Sequence, residues 1–249
     1  MCVECVRYTP RVRLLSRLIR LPLRLVPAGR TVPILTGALR GWKWITGSAT
    51  HGCWLGTYER EAQEAFRELI REGDVVYDIG ANAGFFTLLA SRLTGPRGTV
   101  YAFEPLPRNI DYLQRHVAVN HAANVRVLPI AVSSSTGVAH FDTASNAAMG
   151  RIKDEGVLEV QTESLDALVA SGRVIPPRFM KIDVEGAELE VLHGAATLLQ
   201  RHHPKMLLST HGVRIHERCC ALLEEWGYAL RFVRDGTDDG QYTVVAVQR

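Results

Sequence analysis

Four strand exits in this chain carry residues able to do chemistry together. The apolar run Val75–Tyr77 leads into Asp78, Ile79, Gly80, Ala81, Asn82, Ala83 and Gly84. A second run, Val100–Phe103, ends at Glu104 and Pro105. A third, Phe179–Ile182, is followed by Asp183, Val184, Glu185, Gly186, Ala187 and Glu188, and a fourth, Met206–Ser209, by Thr210, His211 and Gly212. Glycines at a turn let the backbone approach a ligand that a Cβ would push away. An ionised carboxylate only accepts hydrogen bonds, so Glu104 suits the two donors of a ribose diol. Asp78 is placed to receive an ammonium group, although a capping or turn aspartate explains it equally well. The strand–turn–helix–strand unit holding Asp78, Gly80, Asn82, Gly84 and Glu104 points to an adenosine-containing cofactor.

The turn discriminates between such cofactors. A dinucleotide turn reads G-x-G-x-x-G, with close backbone approach to a pyrophosphate at the helix N-terminus. Here Asn82 and Phe85 replace the second and third glycines. That disfavours a nicotinamide oxidoreductase and favours a phosphate-free adenosine derivative, of which S-adenosylmethionine is the common one. Methyl transfer from a sulfonium is an in-line displacement, so the protein mainly aligns donor and acceptor. An alcohol acceptor must also lose a proton, and Asp183 or His211 can take it. Asp183 and Glu185 share a side if the chain stays extended, whereas Glu185 and Glu188 become neighbours if a helix has begun. Glu188 reads as an acid favoured by the helix dipole. Oxygen ligands such as Asp183 and Glu185 suit magnesium, but the sequence assigns too few ligands to claim a metal.

Apolar periodicity supplies the elements that position these groups. Ala62, Ala65, Phe66, Leu69 and Ile70 mark one helical face, and Gly73 stops that helix before strand 75–79. A helix over 85–93 ends at Gly95 and Pro96, and Pro107 opens the next. Strands are expected at 99–103, 125–130, 179–182 and 206–209, and helices at 187–200 and 215–226. Short strands at 138–141 and 157–162 interrupt the alternation, and 228–233 with 242–247 form a terminal antiparallel pair. Repeated strand–helix units predict an α/β fold with a mainly parallel sheet and helices on both faces.

The 249 residues suit one α/β domain, expected at 58–249, after a basic arm and lead-in at 1–57. Three tryptophans of the lead-in, Trp42, Trp44 and Trp54, are candidates for a pocket wall. Residues 1–50 carry a charge of +8 in a chain of net +3, so the remainder is acidic at −5. This is not the charge pattern of a nucleic-acid-coating domain. Residues 7–26 can form a basic amphipathic helix for peripheral membrane contact, but Pro22 and Pro27 shorten it and favour a packed arm or tail. No apolar run is long enough to span a bilayer. Five cysteines without a disulfide framework suit a reducing, cytoplasmic compartment.

Taken together, Tyr77–Gly84, Ala102–Pro105 and Lys181–Glu188 resemble the FkbM-type methyltransferases. The likeness runs from about Trp54 to the C-terminus. It implies a class I methyltransferase fold (Rossmann-like), S-adenosylmethionine as donor and a hydroxyl acceptor on a sugar or other small metabolite. It places Asp78, Gly80, Asn82, Gly84 and Glu104 in the cofactor site and Asp183 where a substrate- or metal-facing acid stands. Many relatives carry E-x-H before the final histidine; this chain has Ser209-Thr210-His211. A non-catalytic module recruited to membranes by the basic arm is the alternative from another class. Base-flipping methylation is disfavoured, because Asp183-Val184-Glu185-Gly186 stands where an Asn-Pro-Pro-Tyr-like signature belongs.

Overall fold

A computed structural model describes residues 26–142, 151–152, 158–235 and 240–248. Nearly all of the expected basic helix at 7–26 lies outside them, as does the Gly236 turn. Thirteen strands and eight helices are assigned among the described residues. A short antiparallel pair, β1 (Thr31–Pro33) and β2 (Lys43–Ile45), comes first. Helices α1 (His51–Leu55) and α2 (Arg60–Leu69) follow, the latter burying Ala62, Ala65, Phe66 and Leu69.

The main sheet then alternates strand and helix: β3 (Val75–Ile79), α3 (Phe85–Thr94), β4 (Thr99–Phe103), α4 (Pro107–Val119) and β5 (Val125–Leu128). After an inserted segment come β10 (Phe179–Ile182), α6 (Glu188–His193), α7 (Ala196–His202), β11 (Lys205–His211), α8 (Val213–Glu225), β12 (Tyr228–Asp235) and β13 (Gln241–Gln248). The order across the seven strands is β12-β13-β11-β10-β3-β4-β5. β11, β10, β3, β4 and β5 run parallel, and β13 pairs antiparallel with both β11 and β12. This is the expected mainly parallel sheet with a terminal antiparallel pair. The chain reverses its direction of travel through the sheet between β3 and β10, and ligands bind in such a crevice beyond the strand ends.

Side chains alternate across the sheet with the two-residue strand period. Tyr77, Ile79, Tyr101, Phe103, Met180 and Ile182 pack into one core, while Val76, Val100, Phe179 and Leu207 pack into the other. The second core also contains Trp44, Cys53 and Phe66, so the lead-in shares the domain's interior.

Two expectations need correction. The helix expected over 187–200 is two helices broken at Gly194, where a Cβ would sit 2.0 Å from the Ser133 carbonyl oxygen. The strand expected over 125–130 ends at Leu128, and Ala131–Val132 (β6) joins a separate sheet. That sheet has the order β6-β9-β7-β8, with β7 at Gly137–Asp142, β8 at Arg151–Ile152 and β9 at Leu158–Glu163. A short helix, α5 (Leu165–Ala170), leads back toward β10, its N-cap Ser164 accepting from the Ala167 amide.

Candidate active site

The bend after β3 is built for close approach. Gly80 has φ 78°, and a Cβ there would lie 1.9 Å from the Asp183 carbonyl oxygen. Only glycine lets the β3 and β10 exits touch backbone to backbone. Gly84, at φ 95°, caps α3, and a Cβ on it would meet Leu113 Cδ1 at 2.4 Å. Asn82 adopts φ 50°, a region asparagine enters more readily than most residues. Its side-chain oxygen accepts from the Ala83 amide at 2.6 Å, and its own amide donates to Glu104 Oε2 at 2.8 Å.

Glu104 is 4% exposed and faces the cavity at the end of β4. Its Oε1 accepts from the Leu106 amide (3.0 Å) and from Asn109 Nδ2 (3.2 Å). Burial raises its pKa, against the pull of these three donors. A carboxylate has about four acceptor positions, so one, on Oε2, remains for a ligand's hydroxyl.

Asp78 stands elsewhere. It is fully buried and does not line the cavity. Thr87 Oγ1 donates to its Oδ2 at 2.5 Å, and Lys181, its register partner on β10, holds an ammonium 3.9 Å from its Oδ1. Burial raises its pKa, with Lys181 and Thr87 opposing. Its described contacts give support from beneath: Asp78 anchors α3 and Lys181 under the bend rather than lining the cavity. The physical reason is strand parity, which points Asp78 toward α3 rather than out of the strand end.

The reacting groups converge at the tips of β10 and β11. Lys181 is 3% exposed and donates to Asp183 Oδ2 at 3.0 Å. Its ammonium also lies 5.3 Å from the centre of the Phe86 ring. Burial alone would lower its pKa, but the charges of Asp183, Asp78 and Glu59 push it up to about 12. The chain beyond Asp183 turns through Glu185 (φ 56°) and Gly186 (φ 112°) before α6 begins. This turn brings Asp183 and Glu185 to the same imidazole. His211 Nε2 lies 3.8 Å from Asp183 Oδ1 and 3.5 Å from Glu185 Oε2. Its Nδ1 is 2.8 Å from Oε1 of Glu188, which is fully buried and also accepts from the Gly186 amide at 3.0 Å. Burial opposes the charged imidazole, but the hydrogen bond to Glu188 and the neighbouring carboxylates raise its pKa. Asp183, Glu185 and His211 each offer one ligand atom, all within 4.8 Å of one another, so they have the geometry to hold a metal ion.

The structure thus brings together Asp183, Glu185 and His211, which the sequence had singled out, with Glu188, which it read as a dipole acid alone, and Lys181, which it passed over. A lysine two residues before a strand-end acid, on an otherwise apolar strand, was the available signal. Tyr58 and Glu59 were also missed. Tyr58 lines the cavity and its hydroxyl hydrogen-bonds the Glu59 carboxylate. Burial first, and Asp183's charge among the rest, raises the pKa of both.

Between Glu104 and this cluster lies a cavity of about 280 Å³. Its apolar walls include Phe103, Leu106, Ile130 and Phe141, and of the three lead-in tryptophans only Trp44 faces it. A family model described as the Methyltransferase FkbM domain matches residues 78–230, which is more than half of the chain. The chain belongs to the FkbM methyltransferase family. It is 37% identical over 148 residues to the hexuronic acid methyltransferase AglP of Haloferax volcanii, covering 57% of this chain and 59% of that protein. It is 31% identical over 180 residues to the 31-O-demethyl-FK506 methyltransferase FkbM of Streptomyces tacrolimicus, covering 54% and 68% respectively. The chain thus spans about three fifths to two thirds of the length of these FkbM-family relatives. Among solved structures, a methyltransferase FkbM from Methylobacillus flagellatus shares the fold at 18% identity and a TM-score of 0.51, covering 80% of this chain and 55% of that one. Fibrillarin from Aeropyrum pernix, solved with S-adenosyl-L-methionine bound, shares it at 17% identity and a TM-score of 0.52, covering 90% and 100%. The fold is the class I methyltransferase fold.

Proposed function

We propose that this FkbM-family protein methylates an oxygen, a hydroxyl group on a sugar or other small metabolite, using S-adenosylmethionine. The observation that carries the reading is one cavity with two unlike ends: Glu104 and the glycine bend at one, Asp183 and Glu185 at the other, with His211 against both acids. Glu104 accepts a ribose hydroxyl at the position its three protein donors leave open. Gly80, Asn82 and Gly84 keep the turn open to the ligand, and Asp78 and Lys181 brace it from below. S-adenosylmethionine supplies a methyl group already activated by the sulfonium charge. Asp78 and Asp183 flank the buried Lys181, and Glu185 and Glu188 flank His211 beside them; such a surplus of negative charge favours a cation in the cavity. Asp183, Glu185 and His211 receive the acceptor's oxygen and deal with its proton. Relatives named for a hexuronic acid and for a demethylated FK506 support a small oxygen-bearing acceptor.

The test is a binding titration followed by transfer of a labelled methyl group to a panel of sugars, uronic acids and polyols. Saturable binding of S-adenosylmethionine and label in an acceptor oxygen are expected. Well-folded protein that takes up NAD and ignores S-adenosylmethionine would remove the proposal.

A further inference from the structure

We propose that Asp183, Glu185 and His211 form a site for one divalent cation of the magnesium–manganese class, with its open positions turned toward the acceptor. The role in catalysis rests on the methyltransferase reading; the binding itself does not.

The donor positions come first. His211 Nε2 sits 3.5 Å from Glu185 Oε2 and 3.8 Å from Asp183 Oδ1. An octahedral ion with bonds of about 2.1 Å sets adjacent donors roughly 3 Å apart. Modest side-chain movement therefore closes the three donors around one ion.

The surrounding groups orient each donor. Metal-binding histidines usually give their other ring N–H to a carboxylate, which fixes the tautomer and aims the free lone pair. Glu188 does this from full burial, holding His211 Nδ1 at 2.8 Å while the Gly186 amide holds the same Glu188 oxygen at 3.0 Å. Lys181 ties up Asp183 Oδ2 at 3.0 Å, so Oδ1, which faces His211, is the oxygen left to coordinate. On the His211 side Nε2 faces two carboxylates rather than open space, a setting that calls for a cation between them. An imidazole serving directly as the base needs that approach clear for the acceptor's hydroxyl.

The remaining positions are accessible. Asp183 and Glu185 line the cavity, and all three side chains are partly exposed. Two carboxylates with one imidazole suit manganese, which accepts both oxygen and nitrogen donors. An ion there takes adjacent oxygens of the acceptor and eases loss of the hydroxyl proton, which points to vicinal diols or hydroxy acids as the acceptor class.

Manganese itself is the probe, titrated into the full chain by electron paramagnetic resonance without S-adenosylmethionine. One ion per chain is expected, weakened at least tenfold in Asp183→Asn, Glu185→Gln and His211→Ala. Each variant must still bind S-adenosylmethionine within about twofold of the parent, which confirms its fold. A chelator should then abolish methyl transfer, and manganese restore it. Absence of manganese binding, or full turnover in the chelator with His211→Ala inactive, overturns the cation site and leaves the methyltransferase reading standing. Manganese binding without any S-adenosylmethionine binding does the reverse.

Discussion

Glu188 shows how much one buried oxygen can decide. Helix α6 begins at this residue, and the carboxylate does satisfy a free amide there, that of Gly186. The same oxygen also fixes which nitrogen of His211 carries its proton. Replacing Glu188 by Gln keeps the shape and removes the charge that orients the ring. Turnover is expected to fall about 10- to 100-fold, the usual effect of losing such an outer partner, while S-adenosylmethionine affinity stays within about twofold. Steady-state rates beside a binding titration check this, and an equal loss in both would return Glu188 to a purely structural role. A single sequence could not reveal this bond, since the partners lie 23 residues apart and their meeting depends on the register of β10 beside β11. For Asp78, the place at a strand exit was legible, but not the face it would turn to.

Among the elements, the Gly80 bend and the Gly186 turn invite comparison. Both glycines have positive φ, but a Cβ on Gly80 would overlap the Asp183 carbonyl, whereas one on Gly186 meets nothing within 4 Å. Gly186→Ala therefore costs only backbone strain, about 1–3 kcal/mol. Gly80→Ala adds a clash that must part β3 from the β10 exit, so it should lower the melting temperature further and weaken S-adenosylmethionine binding more than tenfold. Thermal melts and titrations of the two variants side by side would show it, and equal effects would contradict it. Strands β3 and β4 were legible to the residue, because valine- and tyrosine-rich runs are bounded by glycine, aspartate and proline. The break at Gly194 was not, since it answers to Ser133, a neighbour far away in sequence. The short strands at 138–141 and 157–162 were visible as strands, but their union with Ala131–Val132 in a separate sheet is a tertiary fact.

For the molecule as a whole, His116 is a weak point in acid. It is fully buried in α4 and stacked on Trp44 at 3.9 Å between ring centres. Its Nε2 accepts from the Ile45 amide at 2.9 Å, and its Nδ1 lies 2.7 Å from the Ala83 carbonyl oxygen. One neutral imidazole thus ties the lead-in to the cofactor bend. Burial lowers its pKa from 6.5 to about 4. Between those values the unfolded chain binds a proton that the folded chain refuses, so stability falls as pH falls. The full contribution is present above pH 6.5, and about 3 kcal/mol is lost by pH 4. Urea unfolding at pH 7.5 and pH 5 should show the decline, with a flatter profile for His116→Gln; identical slopes would exclude His116 as the source. No helix among the described residues is long and apolar enough to cross a membrane.

The cavity is roofed by parts that do not belong to the seven-stranded sheet. Trp44, Cys53 and Tyr58 come from before it, and Ala131, Val132 and Phe141 come from the small sheet inserted between β5 and β10. The residues proposed to hold the donor sit at strand ends of the main sheet, while the rest of the cavity wall comes from the lead-in, which is packed into the core, and from the small inserted sheet. A change confined to the inserted sheet would therefore alter the acceptor side while leaving the strand ends in place. A chimera carrying a relative's 131–163 segment should inherit that relative's acceptor preference and keep the parent's donor affinity; loss of both would show that the appendage and the frame are one unit.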